Sequence, residues 1–229
     1  MLDFWTRAPF VFWSFVFFVF GSVVGSFLNV CIHRMPLDLS LAKPGSQCPK
    51  CGFAIPWRLN IPIVSWLWLR GKCRQCAASI SPRYLGVELL TGLAFLASWL
   101  AFGAQTTPGV LLAVTWGFVL AGLITATFID FEHFIIPDQI TLGGVAVGFI
   151  VSAGLPALHH VTRPAESLMA SGLGILVGAG SVFAVLQLGK LLFGKVRVPL
   201  EEGESATFTE SALHLPGEVV PFEEIFFRN

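Results

Sequence analysis

Charge is the first property that this chain has little of. Asp, Glu, Lys and Arg together make up 12% of its 229 residues, whereas an ordinary soluble domain carries about 25%. Aspartate occurs four times and tyrosine once. Hydrophobic residues account for 55% of the sequence, and the mean hydropathy is +0.76. The composition therefore excludes a typical soluble protein and predicts an integral membrane protein.

A formal net charge of zero conceals a strong asymmetry. Eight of the fourteen Lys and Arg residues lie between Arg34 and Arg83, and seven of the fourteen acids lie between Glu201 and Glu224. The basic cluster surrounds two pairs of cysteines, and the acidic cluster would repel phosphate. Neither cluster predicts a nucleic-acid surface, so we expect contact with membrane lipid and no nucleic-acid partner.

Long apolar runs determine the predicted fold class, because a membrane-spanning helix needs about 20 predominantly apolar residues. The fourth of five such runs is interrupted by Gly154 and Pro156. We predict an all-α, polytopic membrane bundle with about five spans. The runs cover approximately residues 8–32, 85–102, 110–129, 140–158 and 168–193.

The runs divide the chain into four segments: a first span (1–32), a loop domain (33–84), a membrane core (85–193) and an acidic tail or insert (194–229). The loop domain holds eight Lys and Arg against one Asp, so the positive-inside rule predicts that it faces the cytoplasm. In the tail, the stretches around Thr207 and Val219 have strand character. A small β-rich insert and a disordered acidic linker both remain open.

Two cysteine pairs, Cys48-Pro-Lys-Cys51 and Cys73-Arg-Gln-Cys76, lie in the loop domain with 21 residues between them. Two C-x2-C turns can direct four thiolates at one centre, which suits a structural Zn²⁺ ion. Two disulfides are the alternative, but a basic loop facing the reducing cytosol favours zinc. The fifth cysteine, Cys31, lies in an apolar run, where we expect a small buried hydrophobic residue.

Asp130 ends an uncharged run of about twenty residues and is followed closely by Glu132, His133 and Asp138. An ionisable residue at the end of a span is either an interfacial anchor or a functional group. A partly desolvated carboxylate near other acids tends to hold a proton, as an aspartyl acid/base pair requires. The crowding favours the functional interpretation of Asp130.

Several further segments accompany these features in order along the chain. They are Gly25-Ser-Phe-Leu-Asn-Val-Cys-Ile-His-Arg-Met-Pro36, Asn60-Ile-Pro-Ile-Val-Ser65, Ser81-Pro-Arg-Tyr-Leu-Gly-Val-Glu-Leu-Leu-Thr-Gly92, Phe128-Ile-Asp130 and Ile136-Pro-Asp138. With the cysteine pairs, they resemble the motifs of the type IV prepilin peptidases. These are the bifunctional leader peptidases and N-methyltransferases of pilus and type II secretion systems, in the A24 aspartic peptidase family.

The resemblance implies a membrane aspartyl endopeptidase with Asp130 as a catalytic residue. Its substrates would be type IV prepilins or pseudopilins, whose basic leader is removed at the cytoplasmic face of the bacterial inner membrane. The new N-terminal residue would then be methylated with S-adenosylmethionine. Glu88 and the loop domain are the candidates for supporting methyl transfer, while the cofactor-binding residues are unassigned. Cys48, Cys51, Cys73 and Cys76 would hold structural zinc.

One family motif has no counterpart in this sequence. The second catalytic aspartate of the family lies in a GxGD motif, and none of Asp3, Asp38, Asp130 and Asp138 occurs in such a motif. We therefore expect that the sequence stops before GxGD and that residues 1–229 alone are inactive, because an aspartyl dyad needs two carboxylates.

Two other functions are compatible with parts of the pattern. A non-enzymatic zinc-loop membrane scaffold or transporter fragment would keep the cysteines but tolerate Asp130→Ala. A presenilin-like intramembrane aspartyl protease would share the aspartates but not the cysteine pairs.

Overall fold

A computed structural model describes residues 9–103, 105–193, 205–209 and 211–221. The chain divides into two compact units, Met1–Leu176 and Val177–Asn229. The helices of the described residues are α1 Phe10–Arg34, α2 Val64–Trp68, α3 Pro82–Phe102, α4 Thr107–His133, α5 Asp138–Gly154 and α6 Pro164–Phe193. The strands are β1 Thr207–Phe208, β2 Ala212–Leu215 and β3 Glu218–Pro221.

Four of these helices (α1, α3, α4 and α6) are long and apolar enough to cross a membrane. This confirms the predicted multi-pass helical architecture. The fourth predicted span is shorter than expected, because α5 has 17 residues and ends at Gly154 before a 3₁₀ turn that begins at Pro156. Its length of about 26 Å is at the lower limit for a span.

Local capping explains where the two central helices begin. The Ser81 hydroxyl accepts a hydrogen bond from the Arg83 amide at 3.3 Å before α3, and Pro82 occupies the first helical position. At the start of α4, the Thr106 hydroxyl accepts from the Gly109 amide at 3.3 Å. Hydroxyl side chains that cap free amides, together with proline in the first turn, are typical helix-start signals.

Glycines allow α1 and α3 to pack closely. A Cβ atom on Gly25 would lie 2.8 Å from the Cα atom of Glu88, and one on Gly92 would lie 2.4 Å from the Ser22 hydroxyl oxygen. Small residues at such crossings let helix backbones approach in a membrane. The surrounding core is aromatic, with Phe17 stacked on the fully buried Trp99 at 4.8 Å between ring centroids. Cys31 is buried here too, as predicted.

The second unit contains a small antiparallel sheet in the order β1-β2-β3. Thr207 pairs with His214, and Val219 also pairs with His214 from the other side. The two stretches with strand character in the sequence thus lie in β1 and β3. Most of the acidic residues of the tail fall outside the described residues.

Candidate metal centre and catalytic face

The four paired cysteines meet at one point. Their Sγ atoms all lie within 4.8 Å of one another, with Cys48 and Cys76 3.8 Å apart and Cys51 and Cys73 3.9 Å apart. A tetrahedral zinc ion with Zn–S bonds of about 2.3 Å requires sulfur–sulfur edges of about 3.8 Å. None of the four forms a disulfide, so the cluster fits zinc rather than two disulfides.

The two cysteine pairs occur in equivalent backbone turns. The Cys48 amide donates to the Phe53 carbonyl at 2.9 Å, and the Cys73 amide donates to the Ala78 carbonyl at 2.8 Å. Each turn is closed by an antiparallel bridge, Gln47 with Ala54 and Lys72 with Ser79. The loop domain therefore presents two matching knuckles that supply two thiols each.

The pKa values of two of the thiols are shifted in opposite directions by hydrogen bonding and crowding. The backbone amides of Cys51 and Lys50 donate to Cys48 and lower the pKa of its thiol to about 6. The Phe53 amide lowers the pKa of Cys51, but desolvation and the three neighbouring sulfurs raise it, with a net value of about 12. One thiolate forms readily, whereas several together require a cation between them.

The residue after each pair has a positive φ angle, which gives a matched test of the knuckles. Gly52 has φ of +69° and no neighbour that would meet an added Cβ, while Ala77 has φ of 54° in the equivalent place. Because the left-handed region costs a non-glycine residue about 1 kcal/mol or more, Gly52→Ala is expected to weaken zinc binding about fivefold.

Ala77→Gly is the control for that prediction, and it is expected to leave zinc affinity unchanged or tighten it. Competition with a chromogenic chelator measures both variants. If both substitutions change the affinity in the same direction and by the same amount, backbone strain does not govern the knuckles.

Asp130 lies in the last turn of α4, where its side chain is exposed. The helix ends when Phe134 adopts φ of 54° and its amide donates to the Asp130 carbonyl at 2.9 Å. Pro137 then precedes α5, and Asp138 is exposed in the first turn of that helix. A carboxylate in this position favours the positive end of the helix. Asp130 and Asp138 therefore lie on either side of one short connection.

Glu132 makes an ion pair that the sequence analysis did not predict. Its carboxylate contacts the Arg83 guanidinium, which also lies 5.5 Å from the centroid of the Tyr84 ring. This contact joins the end of α4 to the start of α3. Glu132 is therefore engaged as a salt-bridge partner, whereas Asp130, two residues earlier, is exposed. Arg83 was present in the Ser81–Gly92 motif, but no local signal identified its partner.

The ion pair has a modest expected effect on stability, because its Arg and Glu side chains are 19% and 39% exposed. Glu132→Gln and Arg83→Gln are each expected to destabilise the protein by about 1 kcal/mol or less. The double variant is expected to lose no more stability than either single variant. Glu166→Gln is the control, since its pairing with Arg163 is far more exposed. Thermal unfolding in detergent measures all four, and equal effects of Glu132→Gln and Glu166→Gln would contradict the assignment.

Glu88 is buried between α1, α3 and the loop domain. Its carboxylate Oε2 accepts a hydrogen bond from the Ile63 amide at 2.7 Å, and its side chain is only 8% exposed. Nearby, the Asn29 amide group donates to the Tyr84 carbonyl at 3.1 Å. This hydrogen bond ties the loop domain to α3.

Two cavities in the described part of the bundle bear on cofactor binding. One, of about 280 Å³, lies between α3 and α4 and extends to Phe128, and the other, of about 480 Å³, includes Trp116 and His160. Neither is lined by an acidic residue that would accept hydrogen bonds from ribose hydroxyls or balance a sulfonium charge. These cavities do not fit S-adenosylmethionine.

Comparison with known proteins covers both parts of the site. Residues 19–102 match the bacterial Peptidase A24 N-terminal domain, and residues 117–197 match the type IV leader peptidase family. The first match includes all four cysteines, and the second includes Asp130. No solved structure matches the chain.

Curated relatives carry the name "Prepilin leader peptidase/N-methyltransferase". The Myxococcus xanthus protein is 38% identical over 194 residues, which cover 76% of this chain and 55% of the relative. The Dichelobacter nodosus protein is 36% identical over 209 residues, with 79% and 68% covered, and the Klebsiella pneumoniae protein is 36% identical over 200 residues, with 84% and 81% covered. With a four-cysteine loop and an aspartate at a helix end inside the two matched segments, the chain belongs to the type IV leader peptidase family.

Proposed function

We propose that this protein acts as a membrane aspartyl endopeptidase on type IV prepilins or pseudopilins. It removes their basic leader and N-methylates the new N-terminal residue. The observation that carries the proposal is the exposed Asp130 carboxylate at the end of α4, within the segment that matches the type IV leader peptidase family. The names of the curated relatives support the same activity.

In this proposal, Asp130 is one of two carboxylates that share a proton and activate one water molecule. The water attacks the scissile carbonyl, and the leaving amine takes a proton as the peptide bond breaks. Asp138 is exposed in the first turn of α5, Asp38 is exposed in the loop domain, and Asp3 lies outside the described residues. None occurs in a GxGD sequence, so we expect that residues 1–229 alone do not complete the dyad.

The surface beside Asp130 suits a substrate with an apolar helix behind a cleavage site. The groove between α3 and α4 is lined by Leu123, Ile124 and Phe128, among other mostly apolar residues, and ends two residues before Asp130. A substrate helix lying in this groove would bring the start of its apolar segment close to the carboxylate. Burial of apolar surface in the groove would favour this orientation.

The proposed location is the bacterial inner membrane, with the loop domain and the active face on the cytoplasmic side.

The proposed zinc ion of the loop domain is structural, because four thiolates leave no open coordination position for water. The zinc would thus stabilise the loop domain without taking part in peptide cleavage.

Reporter fusions test the orientation and also decide whether the short helix α5 spans. A reporter after Lys72 is expected to behave as cytoplasmic, since the loop domain is strongly basic. If α5 spans as well as α6, a reporter after Glu202 is also cytoplasmic, which is the result we expect. A periplasmic reporter at 202 alone would remove α5 from the spans, and one at 72 would overturn the orientation.

Methyl transfer is tested with S-adenosylmethionine that carries a labelled methyl group. A prepilin with a matching leader is incubated with membranes that contain a form of the protein able to remove the leader. The label is expected on the N-terminus of the cleaved product and to be absent from the uncleaved precursor. Cleaved product without label would keep the peptidase function and remove the transferase function.

A further inference from the structure

The N-terminal end of the short helix α2 is held beside the second turn of α3. The Ile63 amide immediately before α2 donates to the Glu88 carboxylate at 2.7 Å. Glu88 is six residues beyond Pro82, the first residue of α3, which corresponds to about 9 Å along the helix axis. If α3 spans the membrane from Pro82, as its length and composition allow, the beginning of α2 lies level with the second turn of that span.

The outward face of α2 is apolar. Val64, Leu67 and Trp68 are spaced i, i+3, i+4, so they share one side of the helix, and they are 51%, 57% and 82% exposed. The other side faces the protein, where Ser65 is buried and the Trp66 ring packs against Gly71. The most exposed tryptophan of this segment is therefore presented away from the loop domain.

Most backbone amides of this segment are paired within the protein, which suits a bilayer, because lipid offers no partner for a free amide. The amides of Ser65, Leu67 and Leu69 donate to the carbonyls of residues 61, 63 and 65 at 3.0–3.1 Å. The Ile61 amide donates to the Ser65 hydroxyl at 2.9 Å. Together with the bond from Ile63 to Glu88, these contacts pair five of the segment's backbone amides within the protein.

We propose that α2 is an interfacial re-entrant helix whose Val64, Leu67 and Trp68 side chains bind phospholipid in the leaflet next to the loop domain. Tryptophan is enriched at this level of membranes. The exposed cations Arg58 and Arg70 flank the segment and would lie at the height of the phosphate headgroups. A soluble partner protein is disfavoured, because the apolar face begins at the depth of the second turn of a membrane span.

Site-specific photo-crosslinking of the full chain tests this proposal without any peptidase readout, so its outcome is independent of the proposed function. Benzoylphenylalanine replaces Trp68 or, in a second variant, Leu67, and the protein is placed in nanodiscs of phosphatidylethanolamine and phosphatidylglycerol. Trp66, which faces inward on the same helix, is the matched control position. Mass spectrometry is expected to find phospholipid adducts at 67 and 68 and intramolecular adducts at 66.

Peptide adducts at 67 and 68, or equal lipid labelling at all three positions, would overturn the proposal. A second measurement avoids disturbing the fold with a bulky residue. Lipids brominated near the headgroup end of their acyl chains are expected to quench part of the tryptophan emission, and Trp68→Phe is expected to remove some of that quenched emission. If Trp68→Phe leaves the quenched fraction unchanged, Trp68 does not lie in the bilayer interface.

Discussion

Replacing Asp130 by Asn is expected to abolish leader cleavage. An amide has the shape of the carboxylate but can neither take nor give the proton that activates water, and such proton transfer contributes about 10²–10⁴-fold to rate. The assay uses a chimera in which the segment of the Myxococcus xanthus relative that matches this chain is replaced by the matching residues of this chain. Leader removal from a matching prepilin in membranes is followed by mass.

Asp138→Asn is the matched control, because it makes the same chemical change in the same short connection. Its effect is expected to be smaller, since the Asp138 carboxylate lies in the first turn of α5, where it mainly interacts with the helix terminus. Full activity of the Asp130→Asn chimera would remove Asp130 from the mechanism. Tolerance of Asp130→Ala would favour the non-enzymatic scaffold or transporter fragment.

Removal of one cysteine ligand is expected to eliminate the bound metal. Purified protein should contain one zinc ion per chain, because intact structural zinc sites bind with about 10–16 kcal/mol at neutral pH. Cys48→Ser removes one of the four ligands and should lose most of the zinc. The loop domain should become more sensitive to proteolysis, while the membrane spans stay inserted. Elemental analysis and limited proteolysis measure the two effects.

Cys31→Ser is the control for the metal prediction. Cys31 is buried in α1 and lies outside the four-sulfur cluster, so its replacement should leave the zinc content unchanged. A protein without zinc whose thiol count reveals two disulfides would contradict the account of the cluster. Loss of zinc in Cys31→Ser as well would indicate that the substitutions act through general unfolding.

The parts of this protein that depend on local spacing were predictable from the sequence. Two residues between paired cysteines are enough to form a knuckle, so all four paired cysteines were predicted to be ligands of one ion, and their Sγ atoms do lie within 4.8 Å of one another. Spans were predicted because the bilayer fixes their length and composition. The fourth predicted span extended to residue 158, whereas α5 ends at Gly154; the interruption by Gly154 and Pro156 was visible in the sequence, but not that it would end the helix.

Contacts between distant segments were not predictable in this way. Glu132 pairs with Arg83 across 49 positions, and Glu88 accepts from Ile63 across 25. An acid beside Asp130 looks the same in sequence whether it is paired or available for catalysis. The helix packing decides, because it brings the start of α3 against the end of α4.

The most direct test of the proposed activity is leader cleavage by the chimera and by the 229-residue chain, compared in the same membranes. Both proteins are first checked for insertion and zinc content, and the N-terminus of the prepilin product is then determined by mass. We expect the chimera to remove the leader and the 229-residue chain to leave the precursor intact. An inserted, zinc-loaded chimera that cleaves no matching prepilin would contradict the leader-peptidase function. Cleavage by the 229-residue chain would instead show that another acid, such as Glu132 or Asp138, completes the site with Asp130.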